Sequence, residues 1–284
     1  METSFEPFLR VAITVFMVGS LLEAGLRVDL DEARVALRDW RFTSTSVLWA
    51  FVICPALAVV LTRVVPLEPP HAIGLLLLAM APGAPFLPSV AARAHGDLPH
   101  VAAFILIASI GTLVYMPLAV PLVIAGSTSD AWTIAQPLLF FVTLPLLVGI
   151  ALRAAAAGVA HRIQPIVGIV AGIATLQVMA IVTLIYASDF VGAVGSYAIA
   201  TLVAFLAIAT AGAYILSGVL PEAQKRVLAL GLCTRNVGAA AAPLLASGVD
   251  RSAMAMVALA VPTTILGSAL LSRWLSRRDV QRVL

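Results

Sequence analysis

The most informative shortage in this sequence is that of charged side chains. Asp, Glu, Lys and Arg make up 11% of the 284 residues, 62% are apolar, and the mean hydropathy is +1.08. Soluble domains carry about a quarter charged and about half apolar residues, so a soluble enzyme is excluded. Because a crossing helix and its connection use roughly 30 residues, no length remains for an ordinary soluble domain. We expect residues 1–284 to form a single transmembrane domain.

Cysteine is also scarce, and the basic residues form no patch. Cys54 and Cys233 both lie in apolar runs, which predicts neither a structural disulfide nor a metal site. The formal net charge of +3 comes from residues scattered between apolar runs, which argues against nucleic acid as a partner. No Ser-Lys or His-Asp pair lies within these runs, so we expect no catalytic residues, no prosthetic group and no enzyme activity.

Nine apolar runs are long enough to cross a bilayer, which needs about 20 residues. The first run has no basic segment before it and no cleavage site, so we expect it to be retained as a helix. The expected spans are 8–26, 41–64, 71–94, 99–125, 131–153, 164–187, 194–218, 223–248 and 251–275. The sequence therefore predicts an all-α polytopic protein with nine transmembrane helices.

The distribution of basic residues tests this count, because cytoplasmic loops carry the excess of Lys and Arg. With nine spans, alternate loops and span ends hold 13 basic residues on one side and 3 on the other, and Arg235 alone lies inside a span. We expect a multi-pass protein of the cell inner membrane. Its N-terminus would lie outside, and its tail, 276–284, would be cytoplasmic.

Two of the nine spans are interrupted. Span three contains Pro82, Gly83, Pro85 and Pro88, and proline removes backbone donors, which makes a continuous helix very costly. Span eight contains the polar stretch 231–238. Freed backbone groups must be buried in protein or line a cavity. Paired interruptions are typical of transporters built from inverted repeats, so we expect halves of about 1–125 and 131–275 whose broken helices cross near Pro85 and Arg235.

Several segments of the chain resemble the bile acid:sodium symporter family. The matching segments are Phe16-Met17-Val18-Gly19 with Leu21, Phe51-Val52-Ile53-Cys54-Pro55, Pro82-Gly83 through Arg93-Ala94-His95-Gly96-Asp97, Pro117 to Pro121, Pro221-Glu222-Ala223-Gln224-Lys225, and Asn236 to Gly238. The resemblance covers nearly the whole length. It implies a core domain with two crossing helices and a smaller panel domain, moving against each other for alternating access. A nine-helix form is known in that family.

The resemblance fails at the residues that hold sodium in the family. Those ligands are a Ser-Asn pair in the first broken helix, a glutamate and a glutamine in the second, and a glutamine in the helix before the first break. The corresponding positions here are Leu87 and Pro88, Gly231 and Arg235, and Ala50. None supplies the family's oxygen ligand, and a guanidinium is only a donor. We therefore expect no metal ligands and leave a sodium ion as coupling partner uncertain.

Arg235 is the strongest candidate for a functional residue. A charge near the bilayer centre costs about 2.5–3.5 kcal/mol on insertion scales, so it should have a partner. No acidic residue lies at the centre of another span. One interpretation pairs Arg235 with an anionic substrate, helped by the helix N-terminus near Asn236. The alternative is that Arg235 caps backbone carbonyls of the broken span three.

The remaining candidates are polar or backbone-shaping residues near the breaks. The predicted substrate-binding residues are Arg235, Asn236, Thr234, Pro82, Gly83, Pro85, Ser89, Thr112 and Thr264. For the prolines and glycine, the alternative role is shaping the backbone. For Thr234 and Asn236 it is local hydrogen bonding, and for the other threonines it is helix packing.

These features predict a secondary transporter of a small organic anion working by alternating access. A proton-coupled or facilitative carrier without sodium coupling is the first alternative, and the coupling ion stays unknown. Two alternatives come from other classes of protein. An intramembrane enzyme would need a catalytic constellation such as a Ser-Lys or His-Asp pair, which the apolar runs lack. A membrane scaffold would not need two broken helices, so the sequence favours neither.

The topology leads to a labelling prediction. In a variant lacking Cys54 and Cys233, single cysteines placed at 126–130 and 188–192 should react with an impermeant reagent from outside intact cells, because these loops lie on the side poor in basic residues. Cysteines at 154–162 should react only after the cytoplasmic side is opened. Labelling of 154–162 from outside would contradict the nine-helix, N-outside arrangement.

Overall fold

The computed structural model of the chain describes residues 2–123, 131–193, 195–247 and 251–283, and within these ranges it is helical with no named strand. The helices are α1 (Glu2–Arg27), α2 (Leu30–Arg38), α3 (Trp40–Leu48), α4 (Cys54–Val64), α5 (Pro69–Ala79), α6 (Leu87–Arg93), α7 (Leu98–Val123), α8 (Ala131–Leu138), α9 (Leu144–Ala155), α10 (Ala157–Ile185), α11 (Ala187–Ala193), α12 (Ala198–Leu216), α13 (Glu222–Cys233), α14 (Val237–Ser247) and α15 (Arg251–Val283). Single π-helical turns, Trp49–Ile53 and Leu139–Thr143, join α3 to α4 and α8 to α9.

Six helical stretches in the described residues are long and apolar enough to cross a membrane. They are Trp40–Val64, Leu98–Leu122, Trp132–Ala155, Ala157–Ile185, Ala198–Leu216 and Ser252–Arg277. Each corresponds to one of the predicted spans. The other three predicted spans correspond to α1 and to the two broken pairs, α5 with α6 and α13 with α14, so the count of nine stays a prediction.

The structure differs from the sequence prediction in three connections, one of which is the expected loop at 188–192, where the structure has α11. The expected loop at 126–130 lies outside the described residues. The expected loop at 154–162 is reduced to Ala156, because α9 ends at Ala155 and α10 begins at Ala157. Alanine is the best helix former, so the run of alanines continues both helices into the turn. The expected connection after α1 contains the short helix α2, which buries Ala33 and Ala36 and is capped by the Asp29 carboxylate.

Each π-helical turn ends two residues before a proline. Pro55 and Pro145 lack the N–H that would bond to the carbonyls of Phe51 and Phe141 four residues earlier, and each of these carbonyls belongs to a π-helical turn. An extra residue in the turn relieves the clash between the proline ring and the preceding turn. The two helices therefore pass their prolines without a break, unlike the α5 and α6 pair.

Helix α1 packs closely on α9 and α10. A Cβ added to Gly149 would lie 2.5 Å from the carbonyl oxygen of Leu22 and 2.9 Å from Cα of Gly25. Small residues let membrane helices approach at backbone distance. On the neighbouring face the Gln164 amide donates to the Glu23 carboxylate at 3.2 Å. These contacts join α1, α9 and α10 into one packed group.

The glycine contact predicts a stability difference. Gly25→Ala and Gly149→Ala should each lower the melting temperature in detergent, because the new methyl group overlaps backbone atoms and such overpacking costs about 1–3 kcal/mol. Gly172→Ala on α10 is the matched control, since nothing lies within 4 Å of a Cβ there. Equal melting temperatures for all three variants would show that α1 and α9 are not in this close contact.

Candidate functional site

The two interruptions meet and pair through their backbones. The N–H of Asn236 donates to the carbonyl of Ala81 at 3.0 Å, and the N–H of Gly83 donates to the carbonyl of Thr234 at 3.0 Å. These two bonds form an isolated antiparallel bridge centred on Pro82 and Arg235. We call this contact between 80–86 and 234–236 the helix crossing. The predicted contact is present, although it involves Pro82 and not Pro85.

Gly83 explains why the contact lies at this point of the break. It has φ of 75°, in the left-handed region that favours glycine. A Cβ there would lie 3.2 Å from the Phe104 ring and 3.2 Å from the Ala108 side chain. Only a glycine can turn the chain here at such a short distance from α7. The register of the crossing is therefore set by Gly83 and not by the prolines alone.

Thr234 and Asn236 bind freed backbone groups. The Thr234 hydroxyl accepts from the N–H of Ala84 at 3.3 Å and donates to the carbonyl of Leu230 at 2.9 Å. The Asn236 side-chain oxygen accepts from the N–H of Ala239 at 3.1 Å, which caps the start of α14. For both residues the structure shows the local hydrogen-bonding role that the sequence left open.

The Arg235 side chain is buried in the protein, with 1% of its residue surface exposed. Its guanidinium donates to the carbonyl of Ala79 at 3.4 Å and to the Cys54 sulfur at 3.3 Å, and it lies 4.8 Å from the centre of the Phe205 ring. Nε has no hydrogen-bond partner. The contact with Ala79, at the C-terminus of α5, is the carbonyl cap that the second interpretation of Arg235 predicted.

No carboxylate pairs with Arg235 in the part of the chain that the structure describes. The ion pairs found there involve Arg27, Arg34, Arg226, His71 and His100. The charge of Arg235 is balanced instead by the negative end of the α5 dipole and by the face of an aromatic ring. A full positive charge is thus held beside the helix crossing without a compensating full negative charge.

A cavity of about 80 Å³ lies on one side of the helix crossing. It is enclosed by α1, α10, α14 and α15. Its lining residues are mainly apolar and comprise Phe16, Phe86, Thr175, Val178, Tyr186, Arg235, Val237, Gly238, Ala241, Met254, Val257, Ala258, Val261, Thr264 and Ile265. None of the three groups that contact the guanidinium, on Cys54, Ala79 and Phe205, belongs to this lining.

The structure separates the nine predicted substrate-binding residues. Arg235 and Thr264 line the cavity, whereas Pro82, Pro85 and Thr112 are buried and Ser89 is exposed. The remaining three, Gly83, Thr234 and Asn236, lie in the helix crossing together with Pro82, Pro85 and Arg235. The Thr112 hydroxyl lies 3.5 Å from the carbonyl of Met80, and that of Thr264 donates to the carbonyl of Ala260 at 2.6 Å. Sequence reasoning missed most of the lining, because apolar side chains on α10 and α15 look like lipid-facing ones.

A polar cluster at the starts of α3, α7 and α13 was also missed. The Gln224 amide donates to Asp39 at 3.0 Å and lies 2.9 Å from Nε2 of His100, whose Nδ1 lies 3.0 Å from Asp97. Burial alone would raise the pKa of Asp39, but hydrogen bonds from Gln224, His100 and two backbone N–H groups lower it. The cluster therefore keeps a carboxylate charged where α13 leads towards the helix crossing.

The hydrogen bonds of Thr234 generate a test of the helix crossing. Thr234→Val should lower the melting temperature in detergent, because the buried N–H of Ala84 loses its acceptor and an unpaired buried donor costs about 1–3 kcal/mol. The matched control is Thr263→Val, whose hydroxyl bonds only within its own helix to Leu259. A Thr234→Val protein as stable as the control would show that the hydroxyl does not hold the two breaks together.

Comparison with known proteins adds a curated relative from Arabidopsis thaliana, named a probable sodium/metabolite cotransporter BASS3, chloroplastic. The two chains are 26% identical over 264 residues, which cover 90% of this chain and 61% of the relative. The chain thus spans less than two thirds of the length of that protein. The likeness nevertheless extends across both breaks.

A family profile gives the broader assignment. The profile described as the Sodium Bile acid symporter family matches residues 12–193. The match includes α1, the first break and α10, and so covers one side of the helix crossing and of the cavity wall. It agrees with the resemblance inferred from the motifs and with the apolar helices of the structure. The chain belongs to the sodium bile acid symporter family, a family of membrane transporters.

Proposed function

We propose that this protein is a secondary transporter of a small organic anion that works by alternating access, with the cavity beside the helix crossing as its substrate site. The observation that carries the proposal is the position of the cavity. It lies where two broken helices meet, the place at which transporters with discontinuous helices bind their substrates. Membership of a transporter family supports the same activity.

The packing suggests which parts move. The packed group of α1, α9 and α10, with α8, forms the panel, and the helices that contain or surround the crossing form the core. The cavity lies between them, since Phe16 and Thr175 come from the panel and Val257 and Thr264 from the core. Rocking of the panel against the core would open this space to one side and then to the other.

The lining indicates the chemistry of the substrate. Apolar side chains such as Phe16, Val261 and Ile265 suit an apolar body, and the hydroxyl groups of Thr175 and Thr264 offer few polar contacts. The start of α14 borders the same space through Val237 and Gly238, and the charge of Arg235 lies close by. A small molecule with a hydrocarbon part and one anionic group fits this combination.

The orientation completes the proposal. We place the protein in the cell inner membrane with the N-terminus outside and the C-terminus in the cytoplasm, as the basic residues predict. The cavity then extends from the helix crossing towards the outside, because α14 and the first half of α15 line it. A proton-coupled or facilitative carrier is the second candidate. This second candidate is favoured by Leu87, Gly231 and Arg235, which stand where the family has sodium ligands and supply no oxygen ligand.

Transport in reconstituted vesicles tests the proposal. Purified protein in proteoliposomes should take up at least one member of a panel of radiolabelled mono- and dicarboxylates, each tested under an imposed sodium gradient and an imposed proton gradient. Ala258→Phe should reduce that uptake at least tenfold, because the ring fills the cavity.

The control for this experiment is Ala207→Phe, the same change at an exposed position on α12. Equal uptake by the two variants would remove the cavity as the substrate site. Absence of uptake across the whole anion panel, by protein that is folded in its vesicles, would contradict the proposed substrate class.

A further inference from the structure

The positions that correspond to the family's sodium ligands contain no oxygen-bearing side chain. Ala50 and Leu87 are fully buried, and Gly231 is buried as well. Within the described ranges no group of three or more His, Cys, Asp and Glu residues could hold a metal ion. Sodium prefers several hard oxygen ligands including a carboxylate, so the residues present do not fit this cation.

The space beside Gly231 is filled by an aromatic ring. A Cβ added to Gly231 would lie 2.6 Å from Cζ of Phe104, and one added to Gly83 would lie 3.2 Å from the same ring. Phe104 is fully buried. The family's glutamate would therefore have no room at position 231. The Phe104 ring thus occupies the space that a carboxylate side chain at position 231 would need.

The second change introduces a cation. At position 235, where the family has a glutamine, the guanidinium of Arg235 is surrounded by groups that attract positive charge. These are the carbonyl of Ala79 at the end of α5, the sulfur of Cys54 and the face of Phe205. A carbonyl at a helix C-terminus and an aromatic face both stabilise a cation. The chain thus has a permanent positive charge at a position that corresponds to one of the family's sodium ligands.

We propose that Arg235 is a tethered cation that replaces the coupling sodium, so that the transporter binds and moves its anion without sodium. The inference rests on the proposed function for its transport part. Its binding part rests on the structure of the helix crossing and on the residues at the positions that correspond to the family's sodium ligands. A guanidinium is always charged, so the crossing contains its cation at all times and needs no added ion.

The first arm of the experiment measures binding and needs no substrate. A ligand that binds only the folded state raises stability in proportion to the logarithm of its concentration. The melting temperature in detergent should therefore be the same in sodium chloride and in potassium chloride across the millimolar range at constant ionic strength. A melting temperature that rises with the logarithm of the sodium concentration, and does not rise with potassium, would overturn the proposal.

The second arm measures transport with the anion identified in the vesicle assay. Initial uptake should differ less than twofold between sodium and sodium-free buffers. Arg235→Gln should reduce uptake at least tenfold. Arg235→Lys should retain part of the uptake, because lysine keeps the positive charge but lacks the planar guanidinium group with its several donors. The matched control, Arg273→Gln at the exposed end of α15, should transport like the unchanged protein.

The outcomes separate this inference from the proposed function. Uptake that requires sodium would overturn the tethered cation and leave the transporter intact. Wild-type uptake by a folded Arg235→Gln protein would also overturn it. If no anion is taken up, the proposed function fails, and the sodium dependence of the melting temperature still decides whether the chain has kept a sodium site. If Arg235→Gln does not fold, the comparison of Arg235→Lys with Arg273→Gln and the sodium arms decide the outcome.

Discussion

The rest of the structure depends on the pairing of backbone groups that two broken helices release inside a membrane. Such groups find no water there, and each unpaired one is expensive. The helix crossing solves this problem because each break satisfies the other, through Gly83 with Thr234 and Asn236 with Ala81. The four half-helices are thereby joined into one unit. A movement that changed this unit would break several buried hydrogen bonds at once, so we expect the crossing to move as a rigid piece.

The charge of Arg235 follows from the same geometry. The break ends α5 at Ala79 and leaves carbonyls that need donors, and Arg235 from the opposite break provides one at 3.4 Å. The same residue adds a positive charge next to an otherwise apolar cavity. Capping the end of α5 and placing a positive charge beside the cavity are therefore two roles that the same side chain can have at once. Under the proposed function, the guanidinium, whose contacts lie outside the cavity lining, would act on a substrate through the low-dielectric interior, where electrostatic interactions are stronger than in water.

Much of the fold could be predicted from hydropathy and helix breakers, since the bilayer allows few solutions. The interruptions in spans three and eight and their mutual contact follow from Pro82, Gly83 and the polar residues around Arg235. The register could not be predicted, because it depends on the positive φ of Gly83 and on its contact with Phe104. The direction of the Arg235 side chain depends on Cys54 and Phe205, far away in the sequence. The apolar cavity lining carries no pattern that separates it from surfaces facing lipid.

Whether the chain has a sodium site is measured most directly by the binding of radioactive sodium to the purified protein in a proximity assay. A sodium-dependent relative should serve as the positive control for the assay. We expect no saturable sodium binding above that of empty detergent micelles. The Phe104 ring fills the space beside Gly231, and Arg235 supplies the positive charge at the crossing. Saturable sodium binding that a potassium salt does not displace would contradict the account.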